Sequence, residues 1–255
     1  MPTPFYHIVL AEEIIDDMRL RQFVRNLLSD ELSAFLFGNV APDVQSVSNY
    51  TREDTHFFSI DNVNKNVAYQ EMLAENKNLS DGRRLSSQQA AFIAGYLAHL
   101  LLDQAWIMEV FNPVFSKTAN WGDFRERLFL HNVLRTFLDQ QDYNRLSSDI
   151  NKKFSSTMFS TRWLPFVENT HFKRWHKFLS EQLADGSSPR TIEVFAARMG
   201  RQPEDFEEIL LSNDLMEERI FSRISRTSLE KFRQRALDNS IVLINHYFSS
   251  DLVRV

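Results

Sequence analysis

The chemistry of this chain is most legible at His99 and Asp103, four residues apart in the stretch AAFIAGYLAHLLLD that runs from Ala90 to Asp103. In a helix that spacing places the imidazole and the carboxylate on one face, a turn from each other. Every other residue from Ala90 to Leu102 is apolar, small or aromatic, so the helix has no solvated face and is buried on all sides. Taking the pair out of water is costly unless something compensates. Two arrangements do so: an ordinary core histidine bonded to its i+4 aspartate, or a pair of ligands on a divalent cation.

Two further polar side chains, Asp43 and His56, sit in apolar or tightly turned settings, and a third, His7, reads as a partly exposed residue at a helix start. Asp43 follows Gly38-Asn39-Val40-Ala41-Pro42; Gly38 offers a helix C-cap and Pro42 biases Ala41 toward extended geometry. Asp43 is thereby held on a turn, where it either bonds its own backbone or presents a carboxylate inward. His56 stands in Thr55-His56-Phe57-Phe58 at the foot of a polar loop, which suggests an imidazole entering the core with its neighbours. His7 lies in or near the first turn of an amphipathic helix. There is no cysteine, so any metal is held by nitrogen and oxygen and no disulfide framework exists.

The elements that must position these groups read as helices. Only six Gly and seven Pro interrupt 255 residues, and no period-two run longer than four residues is found, so an all-α multi-helix bundle is expected. Twenty-two Phe point to thick helix-helix contacts. The spacing predicts helices over 8–28, 30–37, 60–76, 90–110 (ending before Pro113), 123–141, 142–157, 160–183, 190–199, 203–237 and 239–252. Ser86 or Ser87 is positioned to cap the central one. Asp185-Gly186-Ser187-Ser188-Pro189 is the clearest linker signal, dividing a helical metal-binding core, residues 1–184, from a C-terminal helical extension, 185–255, packed back on it. His171 and His176 alternate with Lys and Arg and read as surface residues; His246 reads as structural.

A formal net charge of −5 with scattered Lys and Arg gives no footprint for a polyanion, which disfavours nucleic acid as a partner. No basic-then-apolar leader opens the chain and no apolar run is long enough for a transmembrane segment. A cytoplasmic location is the expectation.

The phrases LFGNVAPD, THFF and FIAGYLAHLLLD closely resemble those of the zinc-dependent phospholipase C family, whose superfamily includes the single-strand-specific zinc nucleases; the resemblance runs over about residues 4–139. It implies an all-α fold with metals in a cleft between helices. It also implies zinc, one to three ions with two the leading arrangement. Position by position, the family's turn Asp falls on Asp43, its following His on His56, its helical His and bridging Asp on His99 and Asp103, and its N-terminal His on His7. His131 matches a His of a further zinc site, but Arg135 stands where that site needs a carboxylate, and Glu109 about where it needs another His. A guanidinium cannot ligate a metal at any accessible pH. That site is therefore lost or rebuilt, with Arg135 available to an anionic substrate. The activity implied is hydrolysis of a phosphodiester, such as a phospholipid head group, with Asp43 taking a proton from the attacking water. The alternatives are hydrolysis of a non-phosphate ester or amide of a small metabolite, and a metal-binding helical protein without chemistry.

Overall fold

The buried stretch becomes the central helix of an all-α protein. The structure is a computed structural model and describes residues 1–159 and 162–249. Among the described residues there are fourteen α-helices and no strand. Helix α1 (Pro4–Asp16) opens with Pro4 in its first turn, where a missing N–H costs nothing. Helix α2 (Gln22–Asp30) is separate from it, so the continuous helix expected over 8–28 is in fact two. Local bonds make the break: Asp17 accepts from the Arg19 amide and guanidinium, and Arg25 donates to the carbonyls of Ile15, Asp17 and Leu20. These compete successfully with the helical ladder.

Helix α3 (Leu32–Gly38) crosses the central helix at backbone contact. A Cβ on Gly38 would meet the Phe92 carbonyl oxygen at 2.1 Å, and one on Gly95 would meet the Phe35 carbonyl oxygen at 2.4 Å. Gly38 is thus a close-approach glycine rather than a left-handed cap. A 3-10 segment, Ala41–Val47, follows. Helix α4 (Arg52–His56) starts from a Thr51/Asp54 capping box and ends at Phe57, whose φ of 58° is the only positive value on a non-glycine among the described residues.

Helix α5 (Ala68–Glu75) is half the length expected over 60–76. Its start is decided from outside: buried Gln104 accepts from the Ala68 amide and donates to the carbonyls of Val63 and Asn66, holding 63–67 as a loop. The central helix, α6 (Ser87–Trp106), is capped by Ser86, which accepts from the Gln89 amide. It runs on through a π-helical turn, Ile107–Phe111, into α7 (Asn112–Val114). Pro113 lies inside it rather than beyond its end, because the wider i→i+5 turn accommodates a residue with no N–H to give. The whole stretch Ser87–Val114 is long and apolar enough to cross a membrane, by length and composition, contrary to expectation. Its apolar window is 83% buried inside the protein, as a core helix is.

Helix α8 (Phe124–Tyr143), capped by Asp123, packs beside α1. Helices α9 (Ile150–Ser155) and α10 (Asn169–Leu183) are shorter than the sequence predicts over 142–157 and 160–183; Ser160 and Thr161 lie outside the described residues. Between them Trp163 is buried against Phe92, with ring centroids 4.5 Å apart. Then come α11 (Thr191–Met199), α12 (Pro203–Leu210), α13 (Asn213–Met216) with a π-helical turn after it, and α14 (Arg226–Tyr247). The breaks expected at 200–202 and at 238 differ in fate. The first occurs at Gly200, in the left-handed conformation, whereas α14 passes through 238 without interruption. Positions 250–252 of the helix expected to reach 252 lie outside the described residues.

Helix α14 covers α6, with Phe232 edge-on to Trp106 at 5.4 Å, and Arg233 bridges Glu13 and Asp142. One buried apolar cluster extends from Phe5 to Phe248. His176 is half-buried rather than exposed, bonded to the Phe154 carbonyl and stacked on its ring, while His246 is exposed.

Candidate metal centre

Four separate segments bring His7, Asp43, His56, His99 and Asp103 to one place. His7 comes from the first turn of α1, Asp43 from the 3-10 segment, His56 from the last residue of α4, and His99 and Asp103 from α6. Asp103 is the hub. Its Oδ2 lies 3.2 Å from His56 Nε2 and 3.4 Å from His99 Nε2, and its Oδ1 lies 3.3 Å from His7 Nε2. Asp43 Oδ1 is 3.6 Å from His56 Nε2. The side chains of His7, His56, His99 and Asp103 are at most 1% exposed, against 13% for Asp43.

The outer nitrogens of two of these rings are already committed. His99 Nδ1 lies 2.7 Å from the Asn39 carbonyl and therefore carries the proton that makes this bond. Thr55 Oγ1 donates to the Arg52 carbonyl and so accepts from His56 Nδ1 at 3.0 Å. Each neutral ring is left with a bare Nε2, and the two Nε2 atoms face each other at 3.3 Å. The His7 ring is stacked on His99 at 3.9 Å with neither nitrogen bonded. Asp103 Oδ1 is likewise buried without a hydrogen-bond donor.

Lone pairs and carboxylates packed together in the dry interior repel unless a positive charge lies among them. The residues therefore fit a divalent cation, in two overlapping groups: Asp43 with His56 and His99, and His7 with His99 and Asp103. The contacts of His99 and His56 through Nδ1 are the outer support that orients imidazole ligands.

The local electrostatics point the same way. Burial, and then the charge of His99, push His7 down to about 4, and burial followed by Arg52 lowers His56, so both rings are neutral near pH 7. Burial would raise Asp103, yet His99, His56 and His7 together hold it well below the usual carboxylate range. His56 and His99 do the same for Asp43. His99 itself is raised, because Asp103 and Asp43 outweigh its burial. The centre is an anionic pit that draws in a cation or a proton.

The other sequence candidates lie elsewhere. His131 is not brought to the cluster: its Nε2 accepts from the Trp106 indole at 2.9 Å, and its ring sits about equally close to Phe111 and Phe115. Accepting at Nε2 puts the proton on Nδ1, which leaves this ring no lone pair for a metal. Burial holds it neutral. Glu109 faces outward and pairs with Arg235. Arg135 makes one side-chain bond, to Asn132 Oδ1 at 2.9 Å, and its guanidinium lies over the Phe195 ring at 4.4 Å. Sequence reasoning missed Arg52, whose Nη2 is 3.1 Å from Asp103 Oδ2 and whose Nε and Nη1 are buried without partners. Nothing in Thr51-Arg52-Glu53-Asp54 signals this, since an arginine in a polar run reads as solvated.

Comparison with known proteins gives an independent line. The profile of the family described as zinc dependent phospholipase C matches residues 6–177, well past residue 139 where the resemblance was expected to fade. Neither the curated proteins nor the solved structures yield a match. The matched span covers about two thirds of the chain and holds all five converging side chains together with His131 and Arg135. With an all-α fold and a buried His/Asp pit inside that span, this chain belongs to the zinc dependent phospholipase C family.

Proposed function

We propose that this protein hydrolyses a phosphodiester, carried by a phospholipid or a similar small molecule, at a zinc centre held by Asp43, His56, His99 and Asp103, with His7 and Asp103 holding a second ion. The observation that carries the reading is the pair of bare Nε2 atoms of His56 and His99 facing Asp103 in a buried cluster. Zinc held there would supply Lewis acidity and would lower the pKa of water toward neutrality.

The chain's own residues supply the rest. Asp43 is ionised and the least buried of the five, so its carboxylate takes the proton of the attacking water. Arg52 has two side-chain nitrogens, Nε and Nη1, without hydrogen-bond partners in the protein; their N–H groups are donors for a phosphate oxygen, and a guanidinium matches that geometry. The short contacts of Asn39 to His99 and of Thr55 to His56 hold the rings in place.

The test combines metal content with turnover. Zinc-loaded protein should cleave a p-nitrophenyl phosphodiester reporter, lose that activity on chelation and keep its helical circular dichroism. His99→Ala should lose bound zinc by elemental analysis, and a variant with full metal content would remove the residue from the ligand set. Turnover of a carboxylic ester reporter but not of the phosphodiester would support the small-metabolite alternative. Melting on chelation with no turnover of either would make the metal purely structural.

A further inference from the structure

A cavity of about 410 Å³ opens beside the metal centre, and Asp43 and Arg135 both line it. Its walls come from α1, α10 and α11: Phe5, Trp175, Phe178, Leu179 and Phe195 make an apolar lining. Set into that lining is Arg135, a cation with unmet bonding capacity. Its Nε is buried with no partner, its one side-chain hydrogen bond is to a neutral amide, and no carboxylate pairs with it among the described residues. Arg198, which also lines the cavity, is exposed and forms no ion pair among the described residues. Burial, helped by the charge of Arg198, pushes the Arg135 guanidinium down to about 10 against the carboxylates of Asp43 and Asp103; at that value it stays charged near pH 7.

A partly desolvated guanidinium is best stabilised in a fold when an anion meets it. Here the protein offers only the Phe195 face, a weaker partner than a carboxylate. An apolar cavity with a buried cation set into its wall is the form of a ligand site that selects an organic anion. The cavity wall and the metal centre share Asp43, so a molecule reacting at the centre extends into the cavity without leaving the protein.

We infer that this cavity binds an anionic group borne on an apolar body, as in an alkyl or aryl phosphate, and that Arg135 is the specificity-determining residue that anchors it. The substrate of the centre then carries a second negative charge besides the one at the reacting phosphodiester. That assignment rests on the hydrolytic reading above, whereas the binding site itself does not. Arg135 acts here as a fixed cation that recognises part of the ligand, in place of any metal at this position.

The test is a titration of the zinc-loaded protein with decyl phosphate, followed calorimetrically, with decanol and inorganic phosphate as comparison ligands. Decyl phosphate should bind more tightly than either. Arg135→Gln should weaken it by about tenfold to a hundredfold, the range for losing a charged hydrogen-bond donor, while decanol binding stays level. Arg135→Lys, which keeps the charge and the stem, should fall between the two and guards against a folding defect; thermal melts of both variants check the same point. Equal affinity of wild type and Arg135→Gln for decyl phosphate would overturn the assignment, as would binding that is unaffected by the substitution and abolished by chelation, which would put the anion on the metal alone. Inorganic phosphate binding as tightly as decyl phosphate would overturn the apolar half of it. Arg135-dependent binding in a protein that hydrolyses no phosphodiester would leave the site standing and sink the proposed reaction instead.

Discussion

Gly95→Ala should disable the metal centre without touching any ligand. The added Cβ would lie 2.4 Å from the Phe35 carbonyl oxygen and 2.8 Å from the Asn39 amide nitrogen, where ordinary contact begins at 3.4 Å. Both obstacles are backbone, so α3 must move by about 1 Å, since a side chain cannot simply rotate aside. The carbonyl that orients His99 belongs to Asn39, at 2.7 Å from Nδ1. A shift of about 1 Å stretches that bond beyond useful range. Overpacking of this kind costs about 1–3 kcal/mol of stability, and loss of an outer contact to a ligating imidazole weakens metal binding about tenfold to a hundredfold. Zinc affinity measured by competition with a chromogenic chelator, alongside urea denaturation of the zinc-free protein, reads the two effects separately. Gly122→Ala is the control: its φ of +50° makes alanine strained, but nothing lies within 4 Å, so it should cost about 1–2 kcal/mol and leave zinc affinity alone. A Gly95→Ala protein with wild-type zinc affinity and stability would refute the proposed link between the helix crossing and the ligand geometry.

Two other outcomes follow from the same structure. Arg135→Asp restores the carboxylate that a further zinc site would need, yet the zinc count should stay unchanged, because His131 Nε2 remains occupied by the Trp106 indole; a rise of about one ion per chain on elemental analysis would show that this bond yields to metal. Asp139 is fully buried, accepts from the Phe5 amide and the Thr191 hydroxyl, and is pushed by burial up to about 6. Its folded-state pKa exceeds the unfolded one, so its favourable contribution is complete below about pH 4 and is lost as pH rises through about 6, a change of up to about 3 kcal/mol. Asp139→Asn should therefore gain stability relative to wild type at pH 7 compared with pH 4, by denaturant titration at each pH. A difference independent of pH would refute the shift.

Much of the site was legible because burial and chemistry conflict openly in one dimension. A histidine and an aspartate a turn apart in a run with no solvated face need compensation wherever that run folds. Asp43 after Pro42, and His56 before two Phe, carry weaker forms of the same signal. Arg52 and Gln104 carried none, because a polar residue in a polar or amphipathic setting gains its meaning only from what other segments place around it. His131 was misleading for a related reason: the family resemblance implied a ligand there, while the group that satisfies it is Trp106, on another helix.

The order of apolar and polar residues by itself determined that the chain is helical, that 90–102 must be its centre, and that any bound metal has only nitrogen and oxygen ligands, since these follow from residue types and near-neighbour spacing. Tertiary structure decided where α1 stops, that α5 begins at Ala68 under Gln104, that Gly38 and Gly95 let two backbones touch, and that a guanidinium is left unpaired beside the centre. Each of those depends on atoms far apart in the chain that only packing brings within bonding range, and local propensity holds no record of them.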